Sequence, residues 1–226
     1  MVRRLASRSF LMLALAAIFY FVERAKDPKS AAAIGILLVS VGILLGFIPL
    51  VMVLSSKVVK PRVCRRLVDS LPWRGDEKVL DVGCGRGVFL IAAAKRLKAG
   101  EAIGIDNWKA GRFESVALDN AKLEGVADRV KIQTADAVQL PFEDASFDVV
   151  LSSLALQNLK SGHDRKKAVE EMARVLKPGG RLAIFDVIYT GSYANVIRDL
   201  NFDDVWVSPT TFLWCLPTRS ITARKT

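Results

Sequence analysis

The chain reads as an α/β protein, a doubly wound sheet preceded by an N-terminal transmembrane helical hairpin. Three features predict this: a charge-free run from Ala31 to Leu54, short β-branched runs alternating with amphipathic helices after Arg66, and a glycine turn, Gly83-Cys84-Gly85-Arg86-Gly87, behind the first of those strands.

Its 226 residues suffice for one α/β domain with a full core plus an appendage. The net charge of +10 invites a nucleic-acid reading, but its distribution argues against one. Residues 1–60 carry 8 Lys/Arg against 2 Asp/Glu, whereas the remainder carries 25 against 21, so +6 of the +10 flanks the apolar runs. The three cysteines, Cys64, Cys84 and Cys215, lack the spacing of a zinc site and read as reduced thiols; no metal is indicated.

Ala31 to Leu54, AAAIGILLVSVGILLGFIPLVMVL, would span about 36 Å as a helix, enough for a hydrocarbon core of about 30 Å. Pro49 near its end is tolerable in such a helix. The shorter run Phe10 to Val22, after Arg3, Arg4 and Arg8, resembles a signal peptide, yet VERAKDPK offers no small-x-small cleavage site. A retained hairpin is expected, with helices at about 10–22 and 31–54 and a turn at Lys26-Asp27-Pro28-Lys29. Gly42 and Gly46 form a GxxxG pair facing the Ala14, Ala16, Ala17 cluster. Basic flanks at both ends, including Lys57, Lys60, Arg62, Arg65 and Arg66, place both on the cytoplasmic side, the second cluster against anionic headgroups. Residues 1–56 are thus expected to be the anchor of an integral membrane protein, and 57–226 a domain facing the cytoplasm.

Within that domain, strands are expected at Lys78 to Val82, Ala102 to Asp106, Val130 to Thr134, Phe147 to Ser152 and Arg181 to Val187, with two more runs at Asp203 to Val207 and Arg219 to Lys225. Helices are expected at Val88 to Leu97, Ala110 to Leu123, Arg165 to Val175 and Tyr193 to Leu200, with a helical turn around Leu154 to Leu159. A membrane-proximal helix covers about Lys60 to Leu71.

The glycine turn then falls where doubly wound sheets bind ligands, outside the carboxyl end of the first strand. Glycines permit the sharp turn and close approach of a ligand, and the amides after them attract a carboxylate or phosphate. Asp106 ends the second strand, placed to accept from a ribose diol. NAD and S-adenosylmethionine (SAM) both fit so far. The spacing G-x-G-x-G, in place of G-x-G-x-x-G, counts against a dinucleotide.

Four motifs in order resemble the class I SAM-dependent methyltransferases, in particular the quinone-biosynthesis and small-molecule (type 11) branch: VLDVGCGRG, GIDNW, TADAVQLPFEDASFDVV and RVLKPGGRLAIFD. The resemblance runs from about Val63 to Lys225 and implies a Rossmann-like, seven-stranded sheet with an antiparallel last strand. It implies that Asp81 and the loop of Gly83, Cys84, Gly85 and Gly87 hold the methionine end of SAM, and that Asp106 holds the ribose. It further implies that Asn107 and Trp108 flank the adenosine, Asp136 and the Ala137 amide grip adenine, and the Ser152 carbonyl meets the methionine ammonium. Leu140 and Phe142 are candidates for the adenine side.

Methyl transfer is an in-line displacement that needs the acceptor atom within about 3–3.5 Å of the methyl carbon, with a base useful for a phenol or protonated amine. Where many relatives carry His after the fourth strand, this chain has Gln157. Gln157, Tyr189 and Tyr193 are the catalytic candidates; His163, in SGHDRKK, fits a solvated or capping role. With little chain left for a lid, a small, lipophilic acceptor entering from the bilayer is expected, with Phe212, Leu213, Trp214 and Leu216 as an apolar wall. Alternatives are a SAM-binding sensor without turnover, and a protein or nucleic-acid methyltransferase, disfavoured by the mild charge of the domain. The sequence leaves the oligomeric state open.

Overall fold

The computed structural model describes residues 12–20, 28–54, 60–108, 114–213 and 216–226. The chain divides into two compact units, Met1–Val59 and Lys60–Thr226.

In the first unit, α1 covers residues 12–20 and α2 covers Pro28–Leu54. Pro28 opens α2, three residues ahead of the expected start at Ala31, because the first helical position needs no amide hydrogen and favours the fixed φ of proline. Ser40 Oγ donates to the Ile36 carbonyl at 2.8 Å, so the one polar side chain mid-helix is satisfied within it. The helices touch where a Cβ on Gly35 would lie 3.1 Å from the Tyr20 ring. Gly42, two turns along the same face, is buried, as is Ala16, whereas Gly46, Ala17 and the flank of α2 are exposed. The contact observed is therefore at Gly35, with Gly42 buried seven residues on, whereas Gly46 of the expected Gly42/Gly46 pair is exposed.

Among the described residues no helix is long and apolar enough to cross a membrane. α1 is described over nine residues only; residues 10, 11, 21 and 22 of the expected first span, and Lys26 and Asp27 of the turn, lie outside the described residues. α2 is continuous over 27 residues, but several of its side chains, including those of residues 34, 48, 49 and 52–54, are outside the description.

In the second unit, α3 (Lys60–Asp69) precedes β1 (Lys78–Val82), α4 (Val88–Ala94), β2 (Glu101–Asp106), α5 (Glu114–Leu123), β3 (Val130–Thr134), β4 (Phe147–Ser153), α6 (Gly162–Val175), β5 (Leu176–Asp186), α7 (Thr190–Asp199), β6 (Phe202–Val207), β7 (Thr211–Leu213) and β8 (Leu216–Lys225). The sheet order is β3-β2-β1-β4-β5-β8-β6, with β7 pairing β8 off this path. β1 to β5 are parallel; β8 runs antiparallel between β5 and β6. Both faces are covered: Val79 and Phe185 point into one apolar cluster, their neighbours Leu80 and Ile184 into the other. That two-sided burial is why these strands read as unbroken apolar runs.

The sheet has eight strands, one more than expected. β7 is three residues long, too short for a periodicity signal, and is fastened by the Thr211 and Thr218 hydroxyls 3.1 Å apart. β5 begins at Leu176, ahead of the expected Arg181, because Leu176 pairs with Phe147 before a register shift that absorbs the Pro-Gly-Gly segment. α4 stops at Ala94, and Lys95 and Arg96 close it with turn hydrogen bonds to Ile91 and Ala93. The turn after β4 is a single 3-10 turn at Leu156–Asn158. α6 begins at Gly162 with Ser161 as its cap, Oγ accepting from Asp164 N at 3.0 Å. His163 is thus exposed in the first turn and caps nothing, since the cap needs an oxygen one residue before the helix. Trp214 and Cys215, and residues 109–113, lie outside the described residues; of the expected apolar wall, Phe212 is 75% exposed.

Candidate functional site

The order reverses between β1 and β4, so the crevice for a ligand opens beyond their carboxyl ends. The glycine loop lines it. Gly83 N and Cys84 N donate to the Ile105 carbonyl at 2.8 and 2.9 Å, strapping the loop onto β2. At Gly83, φ is 73° and a Cβ would fall 2.2 Å from that of Ala155, so no side chain fits. At Gly85, φ is 50° and nothing lies within 4 Å of where a Cβ would stand, which leaves open space over the backbone for a ligand. Cys84 is buried, with its sulfur toward Gly104 of β2, so only its backbone faces the crevice.

Asp106, at the end of β2, is the organising carboxylate. Oδ2 accepts from Gly85 N and Oδ1 from Trp108 N, both at 3.0 Å. A carboxylate offers about four acceptor positions, so two remain for a diol. Trp108 sits at φ 55°, its indole N–H donating to Thr134 Oγ1 at 2.9 Å, half-buried against the core on its inner face; Asn107 beside it is exposed. Asp136 closes the far side with an exposed side chain that accepts from Val138 N at 3.2 Å, while Ala137 is half-buried beside it. Leu140 and Phe142, candidates for the adenine side, are instead core residues: Leu140 is buried, and Phe142 packs edge-on against Phe147 with ring centroids 4.9 Å apart.

Under the loop lies Asp81, 1% exposed. Oδ2 accepts from Leu90 N at 2.9 Å, bracing α4, whereas Oδ1 is buried with no partner. Burial, with a smaller push from Asp106, raises its pKa from 3.8 to about 7; the Leu90 amide and the Lys60 ammonium pull the other way. A buried anion with one lone-pair face unmet is set to receive a cation or a donor. Ser152 stands next to it on β4, also buried, with its hydroxyl donating to the Val82 carbonyl at 2.9 Å.

The second carboxylate of the crevice is Asp186, at the end of β5, and sequence reasoning missed it. It is 1% exposed; Oδ1 accepts from Val187 N at 2.9 Å and Oδ2 from Gln157 N at 3.1 Å. Burial raises its pKa to about 6 against those two amides. The Lys60 charge pulls the pKa of Asp81 and of Asp186 down alike. Cys64, one turn on, meets Ser153 Oγ at 3.6 Å, and burial pushes its thiol up to about 11.

The structure thus sorts the three catalytic candidates. Gln157 contributes its backbone amide to Asp186. Tyr193 is fully buried beside Asp186, its pKa raised by burial and then by the Asp186 charge, and its hydroxyl in turn lowers that of Asp186. Tyr189 is 45% exposed in a left-handed conformation, with the Arg165 guanidinium stacked 3.8 Å from its ring centre. Among the described residues no cluster of His, Cys, Asp or Glu has the arrangement of a metal site. SAM fits the groups present: an unmet buried carboxylate oxygen for its cationic end, open space over Gly85, and spare lone pairs on Asp106 for its ribose.

Fold and crevice define a Rossmann-like protein that binds a nucleotide-bearing ligand at the switch point of a doubly wound sheet. Residues 80–184 match the family model described as "Methyltransferase domain", and that match, with relatives named as methyltransferases, supports the class I SAM-dependent methyltransferase superfamily for this unit. Over 135 residues it is 40% identical to "Methyltransferase GfsG" of Streptomyces halstedii, covering 60% of this chain and 46% of that protein. Over 109 residues it is 41% identical to "Demethylmenaquinone methyltransferase" of Lactiplantibacillus plantarum, covering 48% and 44%. The chain therefore spans about half the length of the curated relatives it matches. The crystal structure of a SAM-dependent methyltransferase from Aquifex aeolicus superposes with a TM-score of 0.57 at 19% identity, covering 72% of this chain and 89% of that one, a likeness of fold.

Proposed function

We propose that the protein is a membrane-anchored methyltransferase that moves the methyl group of SAM to a small, lipophilic acceptor. The observation that carries the reading is the pair of buried carboxylates at the strand ends, Asp81 with an unmet oxygen on one side and Asp186 on the other. SAM, when bound, supplies the activated methyl group. Asp81 and the Ser152 carbonyl hold its cationic methionine end, the Gly83 to Gly87 loop gives it room, Asp106 holds the ribose, and Asp136 with the Ala137 amide meets the adenine edge beside Asn107 and Trp108. Asp186, ionised above a pKa of about 6, takes the proton from the acceptor's hydroxyl or amine as the displacement proceeds. This supplies the base that Gln157 does not, and favours turnover over a silent SAM-binding role.

The lipophilic acceptor rests on two supports. One relative is named as a demethylmenaquinone methyltransferase, a name that points to a quinone acceptor for that protein. The other is the first unit: Ile36, Leu37, Ile43, Leu44, Phe47 and Leu50 are each more than half exposed around α2, a surface that water penalises and lipid does not. With basic residues flanking both ends of the hairpin, the methyltransferase unit faces the cytoplasm.

The test is to incubate membranes containing the protein with methyl-labelled SAM and extract the lipids. Label in the lipid extract is the expected outcome; label confined to protein or RNA would sink the lipophilic acceptor. Retention of the protein in the membrane pellet at alkaline pH checks the anchor separately.

A further inference from the structure

The segment 135–146 between β3 and β4 carries Asp136 and Ala137. Upstream, Ala135 N donates to the Asp106 carbonyl at 3.1 Å. Asp136 itself is held locally, its carbonyl accepting from Gln139 N and its Oδ1 from Val138 N, both at 3.2 Å. Downstream, the segment is fastened to one pair of side chains on α6. Arg174 Nη2 donates to the Leu140 carbonyl at 3.1 Å, and Nη1 donates to the Phe142 carbonyl at 2.8 Å and to Asp144 Oδ1 at 2.7 Å. Nε and Nη2 of the same guanidinium grip Glu171 in a fork, each at 2.8 Å, and hold that carboxyl below its usual range. Glu171 Oε2 also accepts from Leu140 N at 2.8 Å.

All five guanidinium N–H groups are thereby used. The backbone groups they and Glu171 meet belong to a stretch outside any strand or helix, where no regular ladder would satisfy them. The support behind the pair is rigid: Val169, Met172, Ala173 and Val175 of α6 are buried in the core, and Lys225 of β8 donates to the Ala173 carbonyl at 2.7 Å. Leu140 and Phe142 give the segment an apolar footing, which is non-directional; a guanidinium fork fixes distance and plane together. We propose that Glu171 and Arg174 are positioning residues for the adenine end of the cofactor site, setting where Asp136 and the Ala137 amide stand and so the preference for adenine. The assignment rests on the placement of adenine at Asp136 and Ala137 given above.

The test compares S-adenosylhomocysteine with S-inosylhomocysteine in calorimetric titrations of the full chain. Hypoxanthine presents a carbonyl and an N–H where adenine has an amine and an acceptor nitrogen, so it opposes both Asp136 and the Ala137 amide. The unaltered protein should favour the adenosyl compound by about 100-fold. Arg174→Lys keeps the charge and loses the fork, and Glu171→Gln sets an amide NH2 against a donor. Each should weaken the adenosyl compound about tenfold and leave the inosyl affinity where it was, which also shows the site to be folded. Ser161→Ala loosens the cap at the far end of the same helix and should leave the preference intact. A fall of both ligands together in the Arg174 and Glu171 variants, or no fall in either, overturns the positioning role, as does a lost preference in Ser161→Ala. Equal binding of the two ligands by the unaltered protein removes the adenine placement itself, and this role with it.

Discussion

The end of β2 and the buried floor from β1 to β5 hold their acidic groups in opposite ways. Asp106 sits at a strand end with both oxygens on backbone amides of the loop it organises, and it remains partly open to solvent. Asp81, under the loop, and Asp186, across the crevice, are buried to 1% exposure, with their pKa values raised by that burial to about 7 and about 6. Beside Asp186 lies the buried Tyr193 hydroxyl, which acts to lower the carboxyl's pKa. The first region, at Asp106, is a pre-formed cradle whose hydrogen bonds are made before any ligand arrives. The second keeps charge and an unmet polar atom in reserve for chemistry and for a cationic group.

Substitutions test that division, the most damaging first. Asp106→Ala removes charged acceptors worth roughly 1.5–3 kcal/mol for each ribose hydroxyl and strands two loop amides. SAM affinity should fall by about 100-fold or more in calorimetric titration; an affinity near wild type would discredit the cradle. Asp186→Asn should lower kcat by roughly 100- to 10,000-fold while SAM affinity holds. It should also erase a rise in kcat/KM through pH about 6; a variant that keeps its rate and its pH profile would leave Asp186 with a structural role only.

The pH dependence of binding reports on Asp81. Its pKa is raised from 3.8 to about 7, so the folded protein binds more protons than the unfolded chain between those values. Its contribution to stability is accordingly full at low pH and is lost as pH rises from about 4 toward 7, levelling off above. A bound cation reverses the preference: SAM affinity should weaken about tenfold per pH unit below 7, with proton release on binding. Asp81→Asn should flatten that slope; a slope that survives the substitution assigns the proton elsewhere.

Tyr193→Phe deletes a buried hydroxyl that lowers the Asp186 pKa, so the acid limb of kcat/KM should move to higher pH; a pH profile identical to wild type would separate the two groups. If it lowers kcat as well, the hydroxyl works with Asp186. His163→Ala, at an exposed first-turn position, should stay within about 0.5 kcal/mol and leave activity unchanged.

What was legible in the sequence followed the backbone. The glycine turn, the acid ending β2 and the order of the parallel strands are local patterns with one geometric meaning, and the strands β1 and β3 fall at the expected residues. Asp186 was hidden because its role depends on burial against Gln157 and Tyr193, which no spacing encodes. Leu140 and Phe142 looked like ligand contacts because apolar residues beside a binding motif read the same whether they face adenine or the core. The hairpin seam misled for a related reason: G-x-x-x-G is a local pattern, while Gly35 was chosen by where Tyr20 lies on the other helix.

The position of β8 also sets a timetable for synthesis. The segment Leu216–Lys225 forms the rung between β5 and β6, and Lys225 reaches back to the Ala173 and Leu176 carbonyls at 2.7 Å. A ribosome that has finished β5 must add about 40 more residues, at about 5–20 per second, before that edge is covered. For those seconds the growing protein carries a bare strand edge beside apolar side chains, a natural point for a chaperone to hold it.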